Sequence, residues 1–181
     1  MRRLPANHYE RVMKMNDIKI LLVDDEEDFI TTLSERLDLR DLDSETALNG
    51  EQALGYVGGH EPDVMILDLK MPGIDGMEVL RLVKKNYPHI QVIIQTGHGN
   101  DLDEAEARQI GVFDYLKKPI DIEILVERIK AAYQAKNNMF DNSARAVAFA
   151  EAGEYETTNV TAQVNRLKTE GETDGPKAHV L

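Results

Sequence analysis

Apolar residues recur along this chain with two different periods. Short, nearly continuous runs at Ile18 to Val23 and Val64 to Leu67 suit strands buried on both faces of a parallel sheet. Ile90 to Gln95 and Val112 to Leu116 are further runs of this kind, and a weaker one lies around residues 43 to 48. Between these runs the spacing becomes helical. Phe29, Ile30, Leu33 and Leu37 mark one helix, a short segment opened by Gly50 a second, and Met77, Leu80, Val83 and Tyr87 a third. An acidic helix of about residues 100 to 110 follows, and Ile122, Leu125, Val126, Ile129 and Tyr133 mark the last. Breakers punctuate the pattern: Gly58-Gly59 closes the second helix, Asp75-Gly76 opens the third, Pro88 ends it, and Gly111 introduces the final strand.

Five strand-helix units in strict alternation predict a doubly wound α/β domain over about residues 17 to 135, with a five-stranded parallel sheet and right-handed crossovers. Residues 1 to 16 show no clear period and read as a flexible leader, with Met13 or Met15 as alternative starts. Residues 136 to 181 read as a C-terminal tail in which small and polar residues dominate. There Ser143 to Ala152 is an alanine-rich helix stopped by Gly153, and Val160, Val164 and Leu167 form a second apolar stripe. Together they predict a short helical hairpin, followed by disorder. Such a hairpin holds too little apolar surface to fold alone and needs something to dock on.

Charge narrows the classes of partner. Of 181 residues, 33 are acidic and 21 basic, a net charge of -12, which opposes non-specific attraction to nucleic acid or anionic lipid. Neither nucleic acid nor membrane is an expected partner, and a cytoplasmic location is. The absence of cysteine excludes a disulfide framework, a thiolate metal site and a catalytic thiol. No apolar run approaches the roughly 20 residues that span a bilayer, and Met1-Arg2-Arg3 is not followed by the apolar region of a secretion signal.

The chemistry sits at the strand ends. Asp24-Asp25 follows the first strand, Asp68 the third, Thr96-Gly97 the fourth and Lys118-Pro119 the fifth. Singly, each has a plain structural reading as a cap, a turn or a terminator, and Tyr115 reads as a half-buried strand aromatic. Jointly, at the carboxyl edge where open parallel sheets bind ligands, they point to a site. Three carboxylates at close quarters repel and call for a cation, and a hard divalent ion such as Mg2+ suits oxygen ligands. With Lys118 as a further positive charge, such a site can neutralise an incoming phosphoryl group while a carboxylate attacks it, giving an aspartyl phosphate. The Thr96 hydroxyl and the Gly97 amide are candidate donors to the transferred oxygens.

The motifs ILLVDDEED, MILDLKMPGIDG, IIQTGHG and DYLKKP, in this order, closely resemble the receiver domain of two-component response regulators over about residues 17 to 135. The resemblance implies the flavodoxin-like (βα)5 fold and a stand-alone receiver with a short tail. It implies Asp68 as phosphoacceptor, and Mg2+ held by Asp25, Asp68, the backbone carbonyl of Lys70 and, mainly through water, Asp24. Lys118, which immediately precedes the proline, matches the phosphoryl-contacting lysine rather than Lys117, and a cis bond is implied at Pro119. Thr96 and Tyr115 match the switch pair. The implied donor is the phosphohistidine of a sensor histidine kinase or a histidine phosphotransfer protein. The implied output is a change in the face formed by the fourth helix, fifth strand and fifth helix, which would bind a downstream target protein or a second copy as a homodimer.

In this reading the protein catalyses only its own phosphorylation and dephosphorylation. No helix-turn-helix, ATPase or cyclase-like segment follows the last helix, so the signal is expected to leave through protein contacts or the tail. The alternatives are a phosphorylation-independent interaction module and a phosphohydrolase similar to the haloacid dehalogenases. The second is disfavoured because Lys70 stands where those enzymes need an aspartate. His60, His89 and His98 are expected at the surface, with His98 near the site.

Overall fold

The strongest apolar runs form the centre of the sheet in the computed structural model, which describes residues 18–97 and 99–169. In chain order the elements are β1 (Ile20–Val23), α1 (Glu27–Asp38), β2 (Ser44–Ala47), α2 (Gly50–His60), β3 (Val64–Leu67), α3 (Gly76–Asn86), β4 (Gln91–Thr96), α4 (Asp101–Ile110), β5 (Asp114–Lys117) and α5 (Ile122–Thr169). All strand pairs are parallel, in the order β2-β1-β3-β4-β5. The three inner strands are buried throughout, whereas the edge strands β2 and β5 are buried only in part. That difference matches the strength of their apolar signals, because only an inner strand is covered along its whole length.

Alternation along each strand divides the core into two layers. Leu21, Val23, Met65, Leu67, Val92 and Ile94 belong to one cluster with residues of α2, α3 and α4, such as Ala53, Leu80 and Ala107. Ile20, Leu22, Val64, Ile66 and Ile93 belong to the other with residues of α1 and α5, such as Leu33 and Leu125. Helices on both faces of a parallel sheet are the doubly wound arrangement that the alternation predicts.

Helix boundaries follow their caps, with three departures from the sequence reading. α3 begins where expected, with the Asp75 side chain accepting from the Glu78 amide at 2.9 Å. α2, by contrast, continues through Gly58 and Gly59 to His60 and ends at Glu61 in the left-handed region, φ 40°. Full burial of Ala53 and Val57 anchors this helix and outweighs the roughly 1 kcal/mol that each interior glycine costs against alanine. β5 begins at Asp114 rather than Val112, because the Val112 amide is spent on the Ala107 carbonyl at 3.0 Å, where Gly111 closes α4 at φ 102°.

The chain divides into two units, residues 1–137 and 138–181. In the second unit α5 continues to Thr169, so Gly153 lies within a helix and the expected hairpin turn is replaced by helix. One glycine is too weak a breaker to stop a helix propagating from the alanine-rich stretch before it. The expectations for residues 1–16, for the end of the tail beyond Thr169 and for His98 lie outside the described residues.

Candidate functional site

Strand register builds the acidic rim. Val23 pairs with Ala47 and with Leu67, so the next residues, Asp24 and Asp68, emerge side by side at the carboxyl edge. The ladder holds both main chains one residue further: the Asp24 amide donates to the Ala47 carbonyl at 3.1 Å and the Asp68 amide to the Val23 carbonyl at 2.9 Å. Both residues are buried, while Asp25 is exposed. One carboxylate oxygen from each of Asp24, Asp25 and Asp68 lies within 4.8 Å of the others. Local bonds set the side-chain directions, with Asp24 Oδ1 accepting from the Glu26 amide at 3.0 Å and Asp68 Oδ1 from the Leu69 amide at 2.8 Å.

The loop below Asp68 is drawn tight by Gly76. Its amide donates to the Leu69 carbonyl at 3.0 Å, and a Cβ at this position would overlap the carbonyl of Asp68. Lys70 lies exposed in the same loop, two residues beyond Asp68.

Lys118 reaches the rim from the far side of β4. Its amide donates to the Thr96 carbonyl at 2.9 Å, and its Nζ donates to Asp24 Oδ2 at 2.5 Å. The ammonium also stands 4.0 Å from the centroid of the Phe29 ring and 4.0 Å from Glu26 Oε1. The Lys118–Pro119 peptide is cis. Lys117 turns outward and meets Asp101 at 3.7 Å, so the two adjacent lysines have different surroundings.

Thr96 is buried at the end of β4, with Gly97 exposed just beyond it. Tyr115, buried on β5, converges with Thr96 on Gly99, where a Cβ would overlap both the Tyr115 hydroxyl and Thr96 Cγ2. Burial raises the Tyr115 pKa above the usual phenol value, and the carboxylates of Asp103, Glu104, Asp68 and Asp101 push it the same way. Asp24, Asp25, Asp68 and Lys118 are therefore brought together, Thr96 and Gly97 end the strand between Asp68 and Lys118, and Thr96 adjoins Tyr115. Sequence reasoning missed Phe29 and Gly99. Helical spacing places Phe29 in α1 but says nothing of the ammonium over its ring, and Gly99 reads only as part of a strand stop.

Residues 20–130 match the response regulator receiver domain. The chain belongs to this family. The receiver is 40% identical over 119 residues to the DNA-binding transcriptional regulator NtrC of Salmonella typhimurium, covering 64% of this chain and 25% of NtrC. It is 37% identical over 125 residues to sporulation initiation phosphotransferase F of Bacillus subtilis, covering 68% of this chain and 99% of that protein. A solved receiver domain from Clostridium thermocellum superposes with a TM-score of 0.63 at 37% identity, covering 67% of this chain and 98% of that one. The match thus spans a quarter of NtrC but nearly all of phosphotransferase F. Receiver domains bind Mg2+ at an acidic pocket, and Asp24, Asp25 and Asp68 form an acidic cluster in this one. Among its described residues no helix is long and apolar enough to cross a membrane.

Proposed function

We propose that this receiver accepts a phosphoryl group on Asp68 from the phosphohistidine of a sensor histidine kinase or histidine phosphotransfer protein. The observation that carries the reading is the convergence of three carboxylate oxygens within 4.8 Å, with the Lys118 ammonium at 2.5 Å from one of the aspartates. Three hard oxygen donors fit Mg2+, held in this reading by Asp25, Asp68, the Lys70 carbonyl and, through water, Asp24. When bound, the ion neutralises charge among the carboxylates and the incoming phosphoryl oxygens.

Asp68 Oδ1 is engaged by the Leu69 amide, which leaves Oδ2 to attack phosphorus. The new O–P bond forms as the P–N bond to the donor histidine breaks, and the imidazole departs with the electron pair of that bond. Lys118 exchanges Asp24 for a phosphoryl oxygen, and the Thr96 hydroxyl and Gly97 amide donate to the other oxygens. Movement of Thr96 toward the phosphoryl group alters the space shared with Tyr115. That rearranges the face of α4, β5 and the start of α5 for a downstream target protein or a second copy. The similarity to a phosphotransferase over nearly its whole length supports this relay role. In this reading the receiver works in the cytoplasm among kinase and target proteins, without direct contact to nucleic acid or membrane, and its net charge of -12 supports this.

The test is mobility on a phosphate-affinity gel after incubation with acetyl phosphate and Mg2+. A shifted band is expected for the wild type, absent without Mg2+ and absent in Asp68→Asn. No shift, together with no binding of beryllofluoride, would overturn the reading and leave a phosphorylation-independent interaction module.

A further inference from the structure

One buried polar residue beside the site has no part in the chemistry described so far. Gln95, the residue before Thr96 on β4, is 4% exposed, and its Oε1 has no hydrogen-bond partner among the described residues. An unpaired buried amide oxygen gives up its hydration with nothing in return, so its presence in the core calls for a partner.

Register locates that partner. Leu67 pairs with Ile94 and Val23 with Leu67, which sets Asp24, Asp68 and Gln95 level on three adjacent strands. These three residues join Phe29, Ile30 and Leu33 in lining a cavity of about 10 Å³. This is close to the space of one water molecule. The other residues that line it are apolar, so Asp24, Asp68 and Gln95 are the polar residues around the cavity. Water is the smallest molecule that can donate to Gln95 Oε1 and to a carboxylate at once.

We propose that Gln95 is a positioning residue, whose Oε1 holds a single water that donates its second hydrogen to the Asp24–Asp68 carboxylate pair and fixes that pair for Mg2+. The inference rests on the phosphoryl-acceptor reading, in which these carboxylates face the ion. Groups that hold metal-binding carboxylates from behind commonly change metal affinity by about 10- to 100-fold when removed.

The experiment joins a high-resolution crystal structure of the full chain to Mg2+ titration calorimetry on the wild type and Gln95→Met, which keeps the length of the side chain and removes its amide. Expected are an ordered water within hydrogen-bond distance of Gln95 Oε1 and one of the two carboxylates, and Mg2+ binding roughly tenfold weaker in Q95M with its thermal midpoint near the wild-type value. Should Q95M melt far below the wild type, Gln95→Leu repeats the titration. A dry cavity in the wild type overturns the inference, as does Mg2+ affinity within twofold of wild type in the folded variant. Wild-type protein that binds no Mg2+ overturns the phosphoryl-acceptor reading and the inference with it. A wild type that binds Mg2+ beside an unaffected variant removes the inference alone.

Discussion

Tyr115 carries a buried hydroxyl for which the described residues offer no hydrogen-bond partner. Removing a polar atom that has nothing to bond recovers its desolvation cost, so Tyr115→Phe should leave stability unchanged or raise it by about 1 kcal/mol in urea unfolding. Lys84 is a second residue whose burial has a measurable consequence. Its Nζ donates to the Ile90 carbonyl at 2.7 Å, and burial lowers its pKa from 10.5 to about 8. Between these values the unfolded chain binds a proton that the folded chain does not, so Lys84 makes stability rise as pH increases from about 8 to 10.5. Lys84→Met should flatten that slope in denaturant titrations across the window. Legibility at this scale follows chemistry. Asp24, Asp25, Asp68 and Lys118 could be read because charge at a strand end is conspicuous and needs compensation. Gly99 and Gln95 could not, because their significance depends on which side chains neighbouring strands press against them.

Elements were readable in proportion to their burial. β1, β3 and β4 are covered along their whole length and announce themselves as apolar runs. β2, Ser44–Ala47, buries only Ala47 and gave a correspondingly faint signal. Glycine was the least dependable marker. Gly111 does close a helix, in the left-handed region, whereas Gly58, Gly59 and Gly153 lie within helices. Sequence cannot separate these cases, because a cost near 1 kcal/mol is decisive only where nothing else holds the backbone. The helical placement of Gly153 has a direct test. Gly153→Ala should increase helicity by far-UV circular dichroism and stabilise the C-terminal part of α5 by about 1 kcal/mol. A glycine in a left-handed turn would give the opposite result, since alanine is strained there.

At the scale of the molecule, strict alternation of strands and helices was enough to foresee the doubly wound sheet, but not the ion pairs that tie its ends. At the amino end of the sheet Asp63 accepts from Lys136 Nζ at 2.7 Å and from the Lys19 amide at 2.9 Å, joining the approaches to β1 and β3 to α5. Lys136 is 8% exposed, so Asp63→Asn would strand a buried ammonium and should cost about 3 kcal/mol in urea unfolding. The proposed phosphoryl site lies at the other edge of the sheet, and the same variant should retain Mg2+ affinity once folded. The pair between Lys118 and Asp24 bridges a sequence separation of 94 residues. On the ribosome, the acids of β1 and β3 therefore emerge well before the amine that balances them. A domain of this size folds as a unit, so the carboxylate rim and its counter-charge come together only once β5 has been synthesised.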